Sequence, residues 1–189
     1  MQTQTISGTR MKTIDMVYSA LFAVLIAVCA WITVPMGHVP FTMQTFGVFC
    51  TLGMLGGKRG TLSVLVYILL GAVGAPVFSG FGGGLGVLLN TTGGYIIGFL
   101  AAALLYWLVT GLCGRKLWSM ALGMVLGLLA CYAFGTAWFM VVYARTSGAV
   151  GLATALGWCV TPYIVPDLVK IALALFMAQV IGRRVRIFN

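Results

Sequence analysis

The stretch Pro166-Asp167-Leu168-Val169-Lys170 sets an acid and a base three residues apart inside the last apolar segment of the chain. Only 7% of the sequence is charged and 61% is hydrophobic, so this pair is its least expected feature. Ionisable residues within a membrane span are energetically costly, and they usually pair with each other and face a functional cavity. The stretch therefore predicts a membrane helix that contributes Asp167 and Lys170 to a binding site.

The composition indicates a single-domain, polytopic membrane protein over residues 1–189. The mean hydropathy is +1.10, and long charge-free runs are not compatible with an ordinary soluble core. The net charge of +9 arises from 11 basic and 2 acidic residues. Because the basic residues cluster at the ends of apolar runs, they indicate orientation in a bilayer, and we expect no nucleic-acid partner.

Apolar runs, glycine and proline breaks and basic clusters predict an all-α protein with six transmembrane helices. Most of the basic residues fall at alternate ends of these helices, which predicts that both termini are cytoplasmic. Residues 146–161 are predicted to form an outer loop that folds over the bundle. After a cytoplasmic tail at 1–13, the predicted helices span about 14–34, 42–57, 61–75, 91–114, 117–143 and 162–184.

Several polar residues on different helices are predicted to lie at one depth. With a helical rise of about 1.5 Å per residue, Gln44, Tyr132 and the Asp167–Lys170 pair lie roughly 20 to 24 Å above the cytoplasmic boundary. This level is the outer third of a hydrocarbon core about 30 Å thick. It predicts a pocket capped by outer loops, with aromatic walls. The candidate substrate-binding residues are Asp167, Lys170, Asn90, Gln44, Arg145, Tyr163, Trp138, Tyr132, Phe41 and Phe81.

The same residues also have structural interpretations, which the sequence leaves open. Asp167 and Lys170 could form only an internal ion pair at i,i+3 spacing. Asn90 could serve only as a helix cap, Gln44 as an interhelical hydrogen-bonding residue and Arg145 as a solvated loop charge. Tyr132 and Trp138 could serve only in packing.

Small residues recur every fourth position on the first predicted helix, at Ser19, Ala23 and Ala27. This spacing lets another helix approach closely. The approaching helix could belong to this chain or to a partner subunit.

Motifs for catalysis, nucleotide binding and metal binding are missing from the sequence. There is no G-x-x-x-x-G-K-[ST] motif, and the one histidine, His38, cannot complete a catalytic triad or a metal cluster. The five cysteines show no C-x-x-C spacing. We therefore expect no enzyme activity, no cofactor and no metal. A membrane enzyme that uses Asp167 and Lys170 as acid and base is the alternative from another class, and a structural subunit without a ligand is a third possibility.

Short motifs occur in a characteristic order along residues 14 to 184. They are Pro40-Phe41-Thr42-Met43-Gln44-Thr45, the turn Gly56-Gly57-Lys58-Arg59-Gly60, Gly71-x-x-Gly-x-Pro76-x-Phe78, Thr92-Gly93-Gly94-Tyr95 and Pro166-Asp167-x-x-Lys170. In combination they resemble the BioY family, the biotin-specific S-components of energy-coupling factor (ECF) transporters.

The resemblance implies a six-helix S-component in a bacterial cell membrane that captures biotin from outside. Its partners would be a transmembrane coupling subunit and two ATPase subunits, and a docking role for Ser19, Ala23 and Ala27 would fit them. Asp167 would accept ureido N–H groups, and Lys170 or Arg145 would neutralise the biotin carboxylate. Asn90 and Gln44 could complement the ureido oxygen or the carboxylate. An S-component for thiamine or a riboflavin-like vitamin is the alternative within this class.

Overall fold

The computed structural model describes residues 13–37 and 39–184. The predicted cytoplasmic tail lies outside the described residues, except for Thr13. His38, to which no role was given, also lies outside them. The described part of the chain is mostly helical. Its helices are α1 Thr13–Trp31, α2 Gln44–Leu55, α3 Gly57–Ala72, α4 Leu85–Leu89, α5 Gly93–Cys113, α6 Leu117–Thr146, α7 Leu152–Cys159 and α8 Ile164–Arg184.

The predicted helical membrane protein is confirmed at the level of fold class. The helices α1, α5 and α6 and the stretch Leu152–Ile181 are long and apolar enough to cross a membrane. The 12 residues of α2 extend only about 18 Å at the helical rise, less than the hydrocarbon thickness of about 30 Å. Crossing by α2 and α3 therefore does not follow from their lengths.

The helix boundaries differ from the predicted ones where a turn is tighter than its sequence suggests. Gly56 alone separates α2 from α3, with φ of 82°, a left-handed conformation that glycine adopts without steric strain. The third helix consequently begins at Gly57 instead of residue 61. The first helix ends at Trp31 because Thr33 and Val34 pair with Thr42 and Phe41 in a two-stranded antiparallel ribbon, β1 Thr33–Val34 and β2 Phe41–Thr42.

The segments predicted as outer loops contain two short helices that the six-helix prediction did not include. The glycine-rich segment between α3 and α5 contains a 3-10 turn at Ser79–Phe81, followed by α4. Within residues 146–161, the predicted outer loop, α7 packs against α6. A second 3-10 turn, Thr161–Tyr163, leads from α7 into α8.

Helices α5 and α6 pack closely and make the most extensive helix–helix contact of the described bundle. A side chain on Gly127 of α6 would lie 3.0 Å from the carbonyl oxygen of Ala102 on α5. Small residues of this kind let helix backbones approach and gain van der Waals contact in lipid.

The small residues of α1 lie inside the bundle of this chain. Ser19, Ala23 and Ala27 are 1%, 1% and 3% exposed, and α1 packs on α2 and α3. In this packing they are used for contact within the chain and are not open to a partner. The exposed face of α1 carries larger apolar residues, among them Val17 and Leu21.

Polar contacts fix the end of the bundle where the chain makes its basic turns, at Lys58-Arg59 and Arg115-Lys116. Arg115, in the turn between α5 and α6, donates to the carbonyl oxygens of Gly53 at 2.8 Å and Met54 at 3.3 Å. These carbonyls lie in the last turn of α2, where a cation also interacts favourably with the helix dipole. Asp15 of α1 forms an ion pair with Arg59 of α3 at 2.8 Å.

Candidate binding site

A cavity of about 410 Å³ lies at the opposite end of the bundle, beneath the segments that were predicted as outer loops. Its walls come from α2, α4, α5, α6, α7 and α8, from the segments that precede α2, α4 and α5, and from the 3-10 turn before α8. Proteins bind small molecules in pockets of about 300 to 1,000 Å³ that are mostly apolar with a few placed polar groups. The polar residues and cysteines of the wall are Thr42, Gln44, Thr45, Ser79, Asn90, Thr91, Thr92, Tyr95, Cys131, Tyr132, Cys159, Tyr163, Asp167 and Lys170.

The acid–base pair of α8 lies in this wall. Asp167 and Lys170 are each 4% exposed, and Nζ of Lys170 lies 2.7 Å from Oδ1 of Asp167. Pro166 precedes them in the first turn of α8, where a missing backbone N–H is tolerated. Both charges are therefore withdrawn from solvent, yet both border the cavity.

Two further groups complete the surroundings of this pair. The hydroxyl of Tyr132 on α6 donates to Oδ2 of Asp167 at 2.6 Å, so each carboxylate oxygen has one protein donor. Nζ of Lys170 donates to the backbone oxygen of Thr42 at 2.8 Å and lies 4.1 Å from the ring centroid of Phe41. A cation over an aromatic face is stabilised by the ring quadrupole. Phe41 thus supports Lys170 from behind the wall and is not itself a wall residue.

Gln44 enters the cavity wall from the first turn of α2. Its Nε2 donates to the hydroxyl of Tyr67 on α3 at 2.6 Å, and Tyr67 packs edge-on against Phe78 at 5.5 Å between ring centroids. Both Tyr67 and Phe78 are fully buried. A fixed amide therefore lies near the ion pair, with one N–H and its carbonyl oxygen left for other partners.

The mouth of the cavity is formed by loop segments joined by hydrogen bonds. The hydroxyl of Tyr163 donates to the carbonyl oxygen of Val39 and, at 3.4 Å, to that of Met36. This contact ties the turn before α8 to the loop before α2. On the other side, Oδ1 of Asn90 accepts a hydrogen bond from the backbone N–H of Thr91 at 2.7 Å, a local turn contact beside the start of α5.

Six of the ten predicted site residues line the cavity: Asp167, Lys170, Gln44, Tyr132, Asn90 and Tyr163. The other four lie outside its wall. Arg145 is exposed in the last turn of α6, and Phe81 is 64% exposed against Trp31, 5.1 Å between ring centroids. Trp138 donates its indole N–H to the backbone oxygen of Asn90 at 3.0 Å and thereby supports the mouth from behind. Phe41 contacts Lys170, as described above.

The sequence reasoning missed several wall residues, of which Tyr95 is the most informative. Its hydroxyl lies 3.1 Å from Oγ1 of Thr136, and its ring lies where a side chain on Gly135 would be, 2.3 Å from that position. Tyr95 stands in the Thr92-Gly93-Gly94-Tyr95 motif, so the motif was a signal that could have identified it. Cys131 and Cys159 also line the wall, and nothing in their spacing indicated this.

The free hydrogen-bonding positions define what the cavity can bind. Each oxygen of Asp167 has a second lone pair, and the ammonium of Lys170 has a third N–H beyond its two protein partners. The pair can therefore take both a donor and an acceptor from one small polar group. Within residues 13–37 and 39–184, no three His, Cys, Asp or Glu residues form a metal-binding group.

A helical membrane bundle with a buried acid–base pair in the wall of a small-molecule cavity defines a membrane-embedded binding protein. Its family follows from comparison of the whole chain with known proteins. The chain belongs to the BioY family, whose model, described as "BioY family", matches residues 1–187.

Curated relatives align along most of their length. The chain is 39% identical over 168 residues to the biotin transporter BioY of Thermotoga maritima, which covers 87% of this chain and 93% of that protein. It is 43% identical over 169 residues to a probable biotin transporter BioY of Pyrococcus horikoshii, covering 89% and 96%.

A solved structure shares the fold. It is described as the S-component for biotin from an ECF-type ABC transporter and superposes with a TM-score of 0.80. The alignment covers 93% of this chain and 94% of that one at 24% identity, so it supports the fold alone.

Proposed function

We propose that this chain is the biotin-binding S-component of an ECF-type vitamin importer. The observation that carries the proposal is the buried Asp167–Lys170 pair in the wall of a cavity of about 410 Å³. Membership of the BioY family and the names of its relatives direct the choice of vitamin to biotin. A cavity of this volume matches a small vitamin.

The ureido group of biotin fits the free positions of the pair. A cyclic urea presents N–H donors and one strong carbonyl acceptor, and the pair offers carboxylate lone pairs beside an ammonium N–H. Hydrogen bonds to ionised groups are roughly twice as strong as neutral ones. Because a urea is uncharged, it leaves the balance between Asp167 and Lys170 undisturbed. Gln44 can complement the ring from α2.

The carboxylate tail fits better at the mouth than beside the pair. The charges of Asp167 and Lys170 cancel, so a carboxylate placed there would leave one negative charge without compensation in an apolar wall. At the mouth, Ser79, Asn90 and the hydroxyls of Thr91 and Thr92 line the cavity. Asn90, Thr91 and Thr92 directly precede the N-terminus of α5 at Gly93, which carries a partial positive charge that favours anions. Arg145, the other cation considered for this role, is exposed outside the wall.

Import by this chain requires an external source of energy. No Walker motif occurs in the sequence, and the related solved structure is described as belonging to an ECF-type ABC transporter. We therefore extend the proposal to a transmembrane coupling subunit and two ATPase subunits as partners. We also extend it to six membrane crossings with cytoplasmic termini in a bacterial plasma membrane, which the distribution of basic turns supports.

Binding measurements on the purified chain test this function directly. In detergent, isothermal titration with biotin, thiamine and riboflavin should give saturable binding of biotin alone. Mass spectrometry of the small molecule that co-purifies should identify unmodified biotin. Preferential binding of thiamine or riboflavin would reassign the vitamin. Conversion of biotin by the isolated chain would favour a membrane enzyme, and absence of any ligand would favour a structural subunit.

A further inference from the structure

A groove on the outer surface of α5 has no role in the cavity. It measures about 330 Å³ and is lined by Leu104, Trp107, Leu108, Gly111 and Leu112. These residues lie at three- and four-residue spacing on one face of the helix, all in its half nearest the basic turns. Leu108 and Leu112 are 56% and 78% exposed.

The packing of the described residues does not explain why a glycine stands at position 111. Glycine destabilises a helix interior relative to alanine, and elsewhere in α5 close contacts require it. Side chains on Gly94 and Gly98 would meet Trp138 at 2.2 Å and Cys131 at 3.1 Å, whereas one on Gly111 would meet nothing within 4 Å. The space left by the missing side chain of Gly111, here called the notch, is therefore open to a molecule outside the chain.

The residues around the notch fit a flexible chain better than a second helix. Close helix packing in membranes uses small residues at four-residue spacing. The residue four before Gly111 is Trp107, which is bulky and lines the groove, and the helix ends at Cys113, before a fourth following position. Trp107 would therefore hold a second helix away. An acyl chain can bend into a notch of one residue.

Cations lie where this groove ends. Arg115 and Lys116 lie in the turn after α5, separated from it by Gly114, and are exposed. The backbone that leads into Lys58 is close to them, because a side chain on Gly56 would be 3.2 Å from Arg115 and one on Gly57 would be 2.5 Å from Trp107. In the described part of the chain, Asp15 is the carboxylate at this end, and it is paired with Arg59. Lys58, Arg115 and Lys116 therefore form a cationic cluster that no carboxylate of the described residues balances.

We propose that the groove and the cationic cluster form a binding site for one anionic phospholipid, independent of what the cavity binds. The phosphate group lies against Lys58, Arg115 and Lys116, and an acyl chain lies along α5 in the notch at Gly111. Trp107 stands between them, at the depth where indole rings favour the interface of the bilayer. Anionic lipids are attracted to such basic clusters next to membrane helices.

Native mass spectrometry of the purified chain tests this site. The protein in detergent receives equal amounts of dioleoyl-phosphatidylglycerol and dioleoyl-phosphatidylcholine, and the retained lipid is counted. The wild-type chain should retain the first at least about fivefold more. The double variant Lys58→Gln/Lys116→Gln should lose this preference, because both substituted cations contact the phosphate. Gly111→Leu should lose retention of the first lipid, because the added side chain fills the notch.

Matched controls separate this site from general electrostatics and from folding. Arg145→Gln removes a cation at the other end of α6, and Gly157→Leu fills an equally open helical glycine of α7; both should keep the preference. Thermal unfolding verifies that the double lysine variant and Gly111→Leu are folded. Equal retention of the two lipids by the wild-type chain would overturn the proposal, and so would unchanged retention in Gly111→Leu. A dimer that Gly111→Leu abolishes would instead assign the groove to a second copy of the chain.

Discussion

The hydroxyl of Tyr132 on α6 lies 2.6 Å from Oδ2 of Asp167 on α8. This hydrogen bond joins two residues that are 35 positions apart in sequence, on different helices, at the charged part of the cavity. It leaves Asp167 oriented toward the cavity with Lys170 on its other oxygen. The carboxylate is therefore positioned before any ligand enters, and such preorganisation lowers the entropic cost of binding.

Removal of this hydroxyl should weaken biotin binding without unfolding the chain. A hydrogen bond to a charged group contributes about 1.5 to 3 kcal/mol, so we expect Tyr132→Phe to reduce biotin affinity by about tenfold, equivalent to about 1.4 kcal/mol. Isothermal titration measures the change. Tyr106→Phe is the control for removal of a tyrosine hydroxyl, because Tyr106 is fully buried on α5 and does not line the cavity. An equal loss in both variants would contradict a specific role for Tyr132.

Variants of the ion pair separate stability from binding. Asp167→Asn and Lys170→Ala should each weaken biotin binding at least about tenfold, which is about 1.4 kcal/mol. Lys170→Met also leaves a buried carboxylate without its cation, a change that costs about 3 to 5 kcal/mol of stability. The double variant Asp167→Leu/Lys170→Met should recover much of that stability and still fail to bind. Thermal unfolding and titration measure the two effects, and near-native affinity in the single variants would make the pair purely structural.

A pair of ligands tests which end of biotin meets the ion pair. Biotin methyl ester keeps the ureido ring and loses the charge of the tail. We expect Asp167→Asn and Lys170→Gln to reduce affinity by the same factor for both ligands, because the substituted groups contact only the ring. If the effect of Lys170→Gln disappears with the ester, the carboxylate lies at Lys170, and the proposed orientation is wrong.

The contact between Gly135 and Tyr95 predicts a site where one methyl group alters the cavity. In Gly135→Ala the new carbon would lie 2.3 Å from the ring of Tyr95, so the ring must move within the cavity wall. We expect weaker biotin binding and a destabilisation of about 1 to 3 kcal/mol, as for overpacking in a core. Gly157→Ala adds the same methyl group in open space and should be neutral or slightly stabilising. Titration and thermal unfolding compare the two, and equal behaviour would contradict the contact.

The cysteines offer a test of occupancy that needs no substitution. Cys131 and Cys159 are buried but line the cavity, whereas Cys113 is exposed at the other end of the bundle. N-ethylmaleimide should label Cys113 at the same rate with or without biotin. Labelling of Cys159 and Cys131 requires entry through the cavity and should fall at least about fivefold with saturating biotin. Peptide mass spectrometry measures both rates, and labelling that biotin does not change would place the ligand elsewhere.

The depth of polar residues was predictable because helix geometry is nearly constant. The rise per residue placed Gln44, Tyr132 and the Asp167–Lys170 pair at one level, and the structure brings all of them to one cavity wall. Depth alone does not give direction around a helix axis. Trp138 was a candidate as an aromatic wall residue and Arg145 as a cation for the carboxylate, and neither reaches the wall.

Sequence patterns could not predict the hydrogen bonds that side chains make to backbone carbonyls. The carbonyl oxygen of Thr42 accepts from Lys170, and that of Val39 accepts from Tyr163. Every residue has a backbone carbonyl, so the residue type does not show which carbonyl will accept a hydrogen bond. The small residues of α1 illustrate the converse case, since close helix packing within one chain and between subunits favours the same spacing.

The cancelling charges of Asp167 and Lys170 have a consequence for bilayers under an electrical potential. Moving one elementary charge across a membrane involves about 2.3 kcal/mol per 100 mV, whereas an acid and a base 2.7 Å apart move as a dipole of nearly zero net charge. Displacing the vacant site along the membrane normal therefore involves almost no electrical work. In the loaded site only the anionic tail of the vitamin responds to voltage.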